Sequence, residues 1–215
     1  MSRFKPSYSE KLNLLNVEIT NLVSNGDFSD GTTGWGGSTS TLSAENNILS
    51  DTCNGEFYAG AAYQSKSLDS THKYFLRAKA RVTNAVALSL RITMQTFATN
   101  IVVEQENPSE NEWYTLYGVH TPDESANSVK VYQGYADSAT ANGKVMEVQE
   151  VLAIDLTETF GAGNEPTADE IETLIGIVPE NWFDGVYKPT QIVMFNWLLA
   201  MIRENTAAIA VLEGS

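Results

Sequence analysis

From Tyr74 to Val82 the chain alternates strictly: Tyr74, Leu76, Ala78, Ala80 and Val82 fall on one side, Phe75, Arg77, Lys79 and Arg81 on the other. That two-residue period predicts a β-strand. Val86, Leu88, Leu90, Ile92 and Met94 repeat it. Further strands are predicted over 100–104, 112–119, 128–135 and 144–156, separated by Asn107-Pro108, Thr121-Pro-Asp-Glu124 and Thr140-Ala-Asn-Gly143, which carry turn chemistry. Many short strands at this spacing point to a mainly β chain, a sandwich or barrel. The stretch from Gly26 to Gly60 is rich in Gly, Ser, Thr and Asn and is expected to supply long loops and short strands.

Two helical patterns follow the strands. Thr167-Ala-Asp-Glu170 is a capping box, in which the threonine oxygen takes the amide of Glu170 and the glutamate returns to the threonine amide. Ile171, Leu174 and Ile175 then share one face before Gly176 and Pro179 stop the helix. A helix of two to three turns must pack on something to persist, and Trp182-Phe183 offers a large apolar anchor. Beyond Pro189, Phe195, Leu198, Ile202, Asn205, Ile209 and Leu212 recur at three-four spacing. That is a heptad seam with an asparagine in one layer, where it would fix register. This helix either joins copies of the chain or packs on its own domain; self-association is the favoured expectation.

At the other end, Leu12, Leu15 and Ile19 fit a short amphipathic helix behind Ser9, and the same segment fits an extended strand. Either form would present apolar side chains for docking. The expected organisation is thus a docking arm over 1–20, a β domain over 21–158, a connector over 159–188 and an oligomerisation helix over 189–215.

Of 215 residues, 42% are hydrophobic, enough for a core. Asp and Glu number 27 against 13 Lys and Arg, a formal net charge of −14. That charge argues against nucleic acid and anionic membrane as partners, and suits a protein crowded in many copies. Cys53 is the only cysteine, so no internal disulfide forms and a disulfide-stapled scaffold is excluded. The start Met1-Ser-Arg-Phe-Lys-Pro6 leads into no apolar run, so a secretory signal is not expected. The most apolar stretch, 192–202, is too short to span a bilayer.

Asn25-Gly-Asp-Phe-Ser-Asp-Gly31 with Gly34-Trp35 resembles the opening of carbohydrate-binding jelly rolls, in which the Asn-Gly pair turns the chain and the aromatic residues enter the core. Trp113 within Glu112-Trp-Tyr-Thr-Leu-Tyr117 is similar to that fold's tryptophan-bearing strand, and Ile154-Asp155-Leu156 to its final strand. Asp155-Leu-Thr-Glu-Thr-Phe-Gly-Ala-Gly-Asn-Glu-Pro-Thr167 with Trp182-Phe-Asp-Gly185 resembles a module recurring in phage tail and fibre proteins. The resemblance, covering about residues 21–186, is therefore to virion proteins of tailed bacteriophages that carry a carbohydrate-binding-module-like jelly roll. It implies a fibre, decoration or receptor-binding protein of the virion, assembled in the host cytoplasm. The implied partners are copies of itself, a trimer by family analogy, together with other virion proteins and a host-surface glycan.

It also implies a structural calcium. Asp155 matches the family's aspartate; Ser29 stands where a glutamate is usual, and Asp27 and Asp30 are the substitutes available.

No Gly-x-Ser-x-Gly, His-Glu-x-x-His, phosphate loop or dinucleotide fingerprint occurs, and His72 and His120 lack a nucleophile in context. The chain is expected not to be an enzyme. Sugar recognition needs exposed rings on which C–H faces stack; Phe57, Tyr58, Tyr63, Phe97, Tyr132 and Tyr135 are the candidates. Tyr132 and Tyr135 fall on opposite faces of their strand, so at most one of them faces a groove. Trp35 and Trp113 are expected in the core. A stand-alone carbohydrate-binding module is the alternative function, and a polysaccharide hydrolase the remote third.

Overall fold

A computed structural model describes residues 17–83, 87–95, 99–124 and 126–189. Leu12 and Leu15, Phe97, and the heptad positions Phe195, Leu198, Ile202, Asn205, Ile209 and Leu212 lie outside the described residues. The strands are β1 (Ile19–Thr20), β2 (Gly36–Ser38), β3 (Ser40–Glu45), β4 (Ile48–Cys53), β5 (Ala59–Leu68), β6 (Tyr74–Val82), β7 (Ser89–Gln95), β8 (Thr99–Glu106), β9 (Tyr114–His120), β10 (Ala126–Gly134), β11 (Val145–Asp155) and β12 (Val186–Tyr187). Among the described residues the α-helices are α1 (Ser138–Ala141), α2 (Leu156–Phe160) and α3 (Ala168–Ile175).

Sheet I runs β2-β5-β10-β7-β8, sheet II runs β3-β4-β11-β6-β9, and every pairing within them is antiparallel. From β4 to β11 the strands interleave in the order that defines a jelly roll, with β2 and β3 each adding one edge strand. The inner faces close on one core: Leu76, Ala78, Ala80 and Val82 of β6 meet Leu90, Ile92 and Met94 of β7, Val129 and Val131 of β10, and Met146 and Val148 of β11. The alternation seen in the sequence is thus the in-out pattern of a sandwich.

The Asn25-Gly26 motif folds as its resemblance implies. Asn25 is left-handed, with φ 51°. Its side chain donates to the Gly31 and Thr33 carbonyls and accepts the Asp30 amide. Phe28 and Trp35 enter the core, ring centroids 5.2 Å apart. Trp113 does not. It is half-buried on the outside of sheet II, with the Arg81 guanidinium 4.6 Å over its ring.

A bulge interrupts β11 between Gln149 and Leu152, where Glu150 takes a φ of 55°. The bulge turns the Val151 backbone out of the ladder. Its amide donates to the Gly26 carbonyl at 2.9 Å, and its carbonyl accepts the Trp182 indole N–H at 3.0 Å. The two sequence motifs therefore meet at one irregular residue. Asn21, buried beside it, donates to the Val151 and Phe183 carbonyls and accepts the Val23 and Ala153 amides.

The outer face of sheet II is covered. Phe75, Leu152 and Ile154 pack with Ile171, Leu174 and Ile175 of α3, with Phe183, and with Ile19. The capping box of α3 is present in full. At about 1.5–3 kcal/mol per buried aliphatic side chain, this packing is what stabilises so short a helix. Ile19, expected to face a docking partner, is fully buried here, because β1 pairs with β12 and turns it onto its own domain.

Candidate functional site

The outer face of sheet I carries the other accessible group of aromatic and charged side chains. The register sets Ala61 of β5, Tyr132 of β10, Arg91 of β7 and Glu104 of β8 in one cross-strand row. Gly36, Tyr63, Lys130 and Thr93 form the next. Tyr63 and Tyr132 are thus diagonal neighbours on one face, within reach of a shared ligand. Small residues make their room. A methyl group at Gly36 would come within 2.7 Å of the Tyr63 ring, so the ring lies directly over that backbone.

Cations frame both rings. The Arg91 guanidinium stands 5.6 Å from the Tyr132 centroid and holds Glu104 at 2.7 Å. The Lys130 ammonium stands 5.4 Å from the Tyr63 centroid. Burial lowers the pKa of Lys130; burial first, and then the neighbouring Tyr58 hydroxyl, raises that of Tyr132. Beside Tyr63 lies an open depression of about 410 Å³, lined among others by Trp35, Gln64 and Lys66. At one end of the face Phe57 and Tyr58 are 49% and 45% exposed and stack at 4.1 Å.

Tyr135 does not belong to this face. It follows β10 with inward parity, is 2% exposed, and donates its hydroxyl to Gln133 at 2.6 Å. Gln133 in turn donates to the buried Asp51 carboxylate at 2.9 Å, which also accepts from Ser40. Desolvation raises Asp51 to a pKa of about 6, despite those two hydrogen bonds.

The aspartates expected around calcium are not brought together as a set. Asp27 accepts from Ser29 within its own turn. Asp155 binds His72 at 2.7 Å and caps α2 by accepting the Glu158 amide. The acids lining a depression with Asp155 are Glu18 and Glu158 instead. Among the described residues no group of three or more His, Cys, Asp or Glu side chains is placed to hold a metal.

Lys66, Lys130 and Arg91 were not singled out by the sequence. The signal available was the two-residue step from Lys130 to Tyr132 within a predicted strand. Strand β5, which carries Tyr63 and Lys66, was missed altogether, because Ala59-Gly-Ala-Ala-Tyr-Gln-Ser-Lys-Ser-Leu68 holds no β-branched residue.

No family model and no curated protein matches the chain. Among solved structures, an arabinose-bound α-L-arabinofuranosidase is 17% identical with a TM-score of 0.50, over 76% of this chain but only 30% of its own. A CBM4 structure is 15% identical with a TM-score of 0.45, over 59% of this chain and 97% of its own. A family 16 carbohydrate-binding module is 16% identical with a TM-score of 0.44, over 63% of this chain and all of its own. At these identities the likeness is one of fold. The strand order makes the fold class plain: the chain is a jelly-roll β-sandwich with an added layer on one side.

Proposed function

We propose that this protein binds glycans through the outer face of sheet I without turning them over, as the displayed domain of a multi-copy virion component. The observation that carries glycan binding is the pairing of Tyr63 and Tyr132 on one accessible face, with charged and polar groups between and beside them. Aromatic rings take the C–H faces of a pyranose, and flanking polar groups fix its orientation. The opposite face of the sandwich is occupied by α3 and the second apolar cluster. Glu104, in the same cross-strand row as Tyr132, is spent on Arg91, and the buried Asp51 on Gln133 and Ser40.

The virion setting is supported by the 155–167 and 182–185 motifs and their resemblance, and assembly by the heptad pattern of 195–212. A glycan array spanning cell-wall and cell-surface oligosaccharides tests the binding. Tyr63→Ala and Tyr132→Ala should each lower binding at least tenfold, while Phe57→Ala has a smaller effect. An unchanged profile in both tyrosine variants removes this face from the role. Mass by light scattering with and without residues 190–215 tests the assembly: equal mass in both favours a stand-alone module.

A further inference from the structure

In a chain with twice as many acids as bases, almost every described cation has its acid. Lys73, Arg77, Lys79, Arg81, Arg91 and Lys188 each hold a carboxylate within 3.2 Å. Lys66 and Lys130 have no carboxylate partner among the described residues. Both neighbour Tyr63: Lys130 places its ammonium over the ring, 5.4 Å from the centroid, and Lys66 lies in the lining of the depression beside it. Two uncompensated ammonium groups around one aromatic platform, in a protein of net charge −14, are a local reversal of sign.

We propose that the Tyr63 site selects an acidic saccharide, one bearing a carboxylate on the sugar ring. This rests on the glycan-binding reading of the same face. A uronic acid carries its carboxylate at the rim of the pyranose, so a sugar seated in the depression beside Tyr63 brings that charge to Lys66 in its lining and to the Lys130 ammonium over the ring. Ammonium-carboxylate hydrogen bonds are roughly twice as strong as neutral ones. They count for more at Lys130, which is partly withdrawn from water, as burial's lowering of its pKa reflects. The acidic remainder of the molecule does not cancel this attraction. At about 0.15 M salt, charges beyond roughly 8 Å are largely screened, and the two lysines act at contact.

The test uses the full-length protein and pairs of ligands that differ only in charge. Galacturonate, glucuronate and sialyl oligosaccharides are each titrated beside their methyl esters, with a sulfated galactan as a separate arm. At least one acid should bind ten times tighter than its ester or more. Lys130→Met and Lys66→Met should each remove most of that preference and leave the ester's affinity within twofold. Tyr63→Ala should weaken acid and ester alike. Equal affinity for acid and ester overturns this inference and leaves glycan binding standing, and so does a preference confined to the sulfated arm. Failure of acids, esters and neutral oligosaccharides alike to bind overturns both.

Discussion

Gly26 lies against Val151 so closely that a single methyl group does not fit between them: a Cβ on Gly26 would overlap the Val151 carbonyl oxygen. The same two residues share a hydrogen bond from the Val151 amide to the Gly26 carbonyl at 2.9 Å. Glycine is needed here for close approach of two backbones, since its φ is not in the left-handed region. Gly26→Ala should destabilise the fold by about 3 kcal/mol, the scale of forced overpacking at a rigid contact. Urea unfolding checks it, as a lower midpoint at unchanged slope. A midpoint equal to wild type would mean that the bulge yields.

Asp51 should make stability depend on pH in an unusual sense. Its folded pKa of about 6 lies above the ordinary value of 3.8. The folded state therefore holds the proton more tightly than the unfolded chain does. The resulting penalty is absent below about pH 4, grows between pH 4 and 6, and is complete above that, reaching up to about 3 kcal/mol. Asp51→Asn keeps an acceptor for Gln133 and a group for Ser40, and carries no charge. The stability difference, variant minus wild type, should rise with pH across that window and level off near neutrality. A flat difference from pH 4 to 8 would show that Asp51 is ionised at no cost.

His72 titrates the other way. The hydrogen bond to Asp155 raises the imidazole pKa above 6.5. A raised histidine contributes stability that is full below 6.5 and lost as pH climbs through the folded value. NMR titration of the imidazole should place its midpoint above 6.5 in the wild type and near it in Asp155→Asn. Asp155→Ala also removes the cap of α2 and should cost about 1 kcal/mol more than His72→Gln.

Arg77 ties α3 to sheet II. Buried at 3% exposure, it donates to both carboxylate oxygens of Glu172 at 3.1 and 3.0 Å and to Glu150 at 3.1 Å. Arg77→Met should lower stability by about 2 kcal/mol, because charge-assisted bonds are lost and Glu172 keeps no partner there. Hydrogen exchange should show the loss first at the amides of α3. Uniform acceleration across both sheets would place the role of Arg77 in the core instead.

What the sequence made legible was local. The alternation of 74–82 became β6 with the same bounds, because each step of the pattern is enforced by burial. The Thr167-Glu170 box reads from four residues and formed as such. The parity that sends Tyr132 outward and Tyr135 inward is likewise a property of one strand. What stayed hidden depends on residues far apart in sequence. Nothing near Ile19 announces Tyr187 as its partner. Nothing near Glu150 announces a bulge that serves Gly26 and Trp182. Phe75 shares its face of β6 with Arg77, Lys79 and Arg81, and only the folded α3 decides that it is covered. The candidate face was half visible: its tyrosines stood out as aromatics, but the lysines gained meaning only once most other described cations had been matched with an acid.

The pairing of Ile19 with Tyr187 and of Thr20 with Val186 gives the folded body a neck. Its incoming and outgoing stems stand about 5 Å apart, the spacing of paired strands, on the flank away from Tyr63. Residues 17–189 could therefore be spliced into a surface loop of an unrelated scaffold without stretching either. A pull applied through the two stems would unzip that two-rung ladder before any tension reached the sandwich.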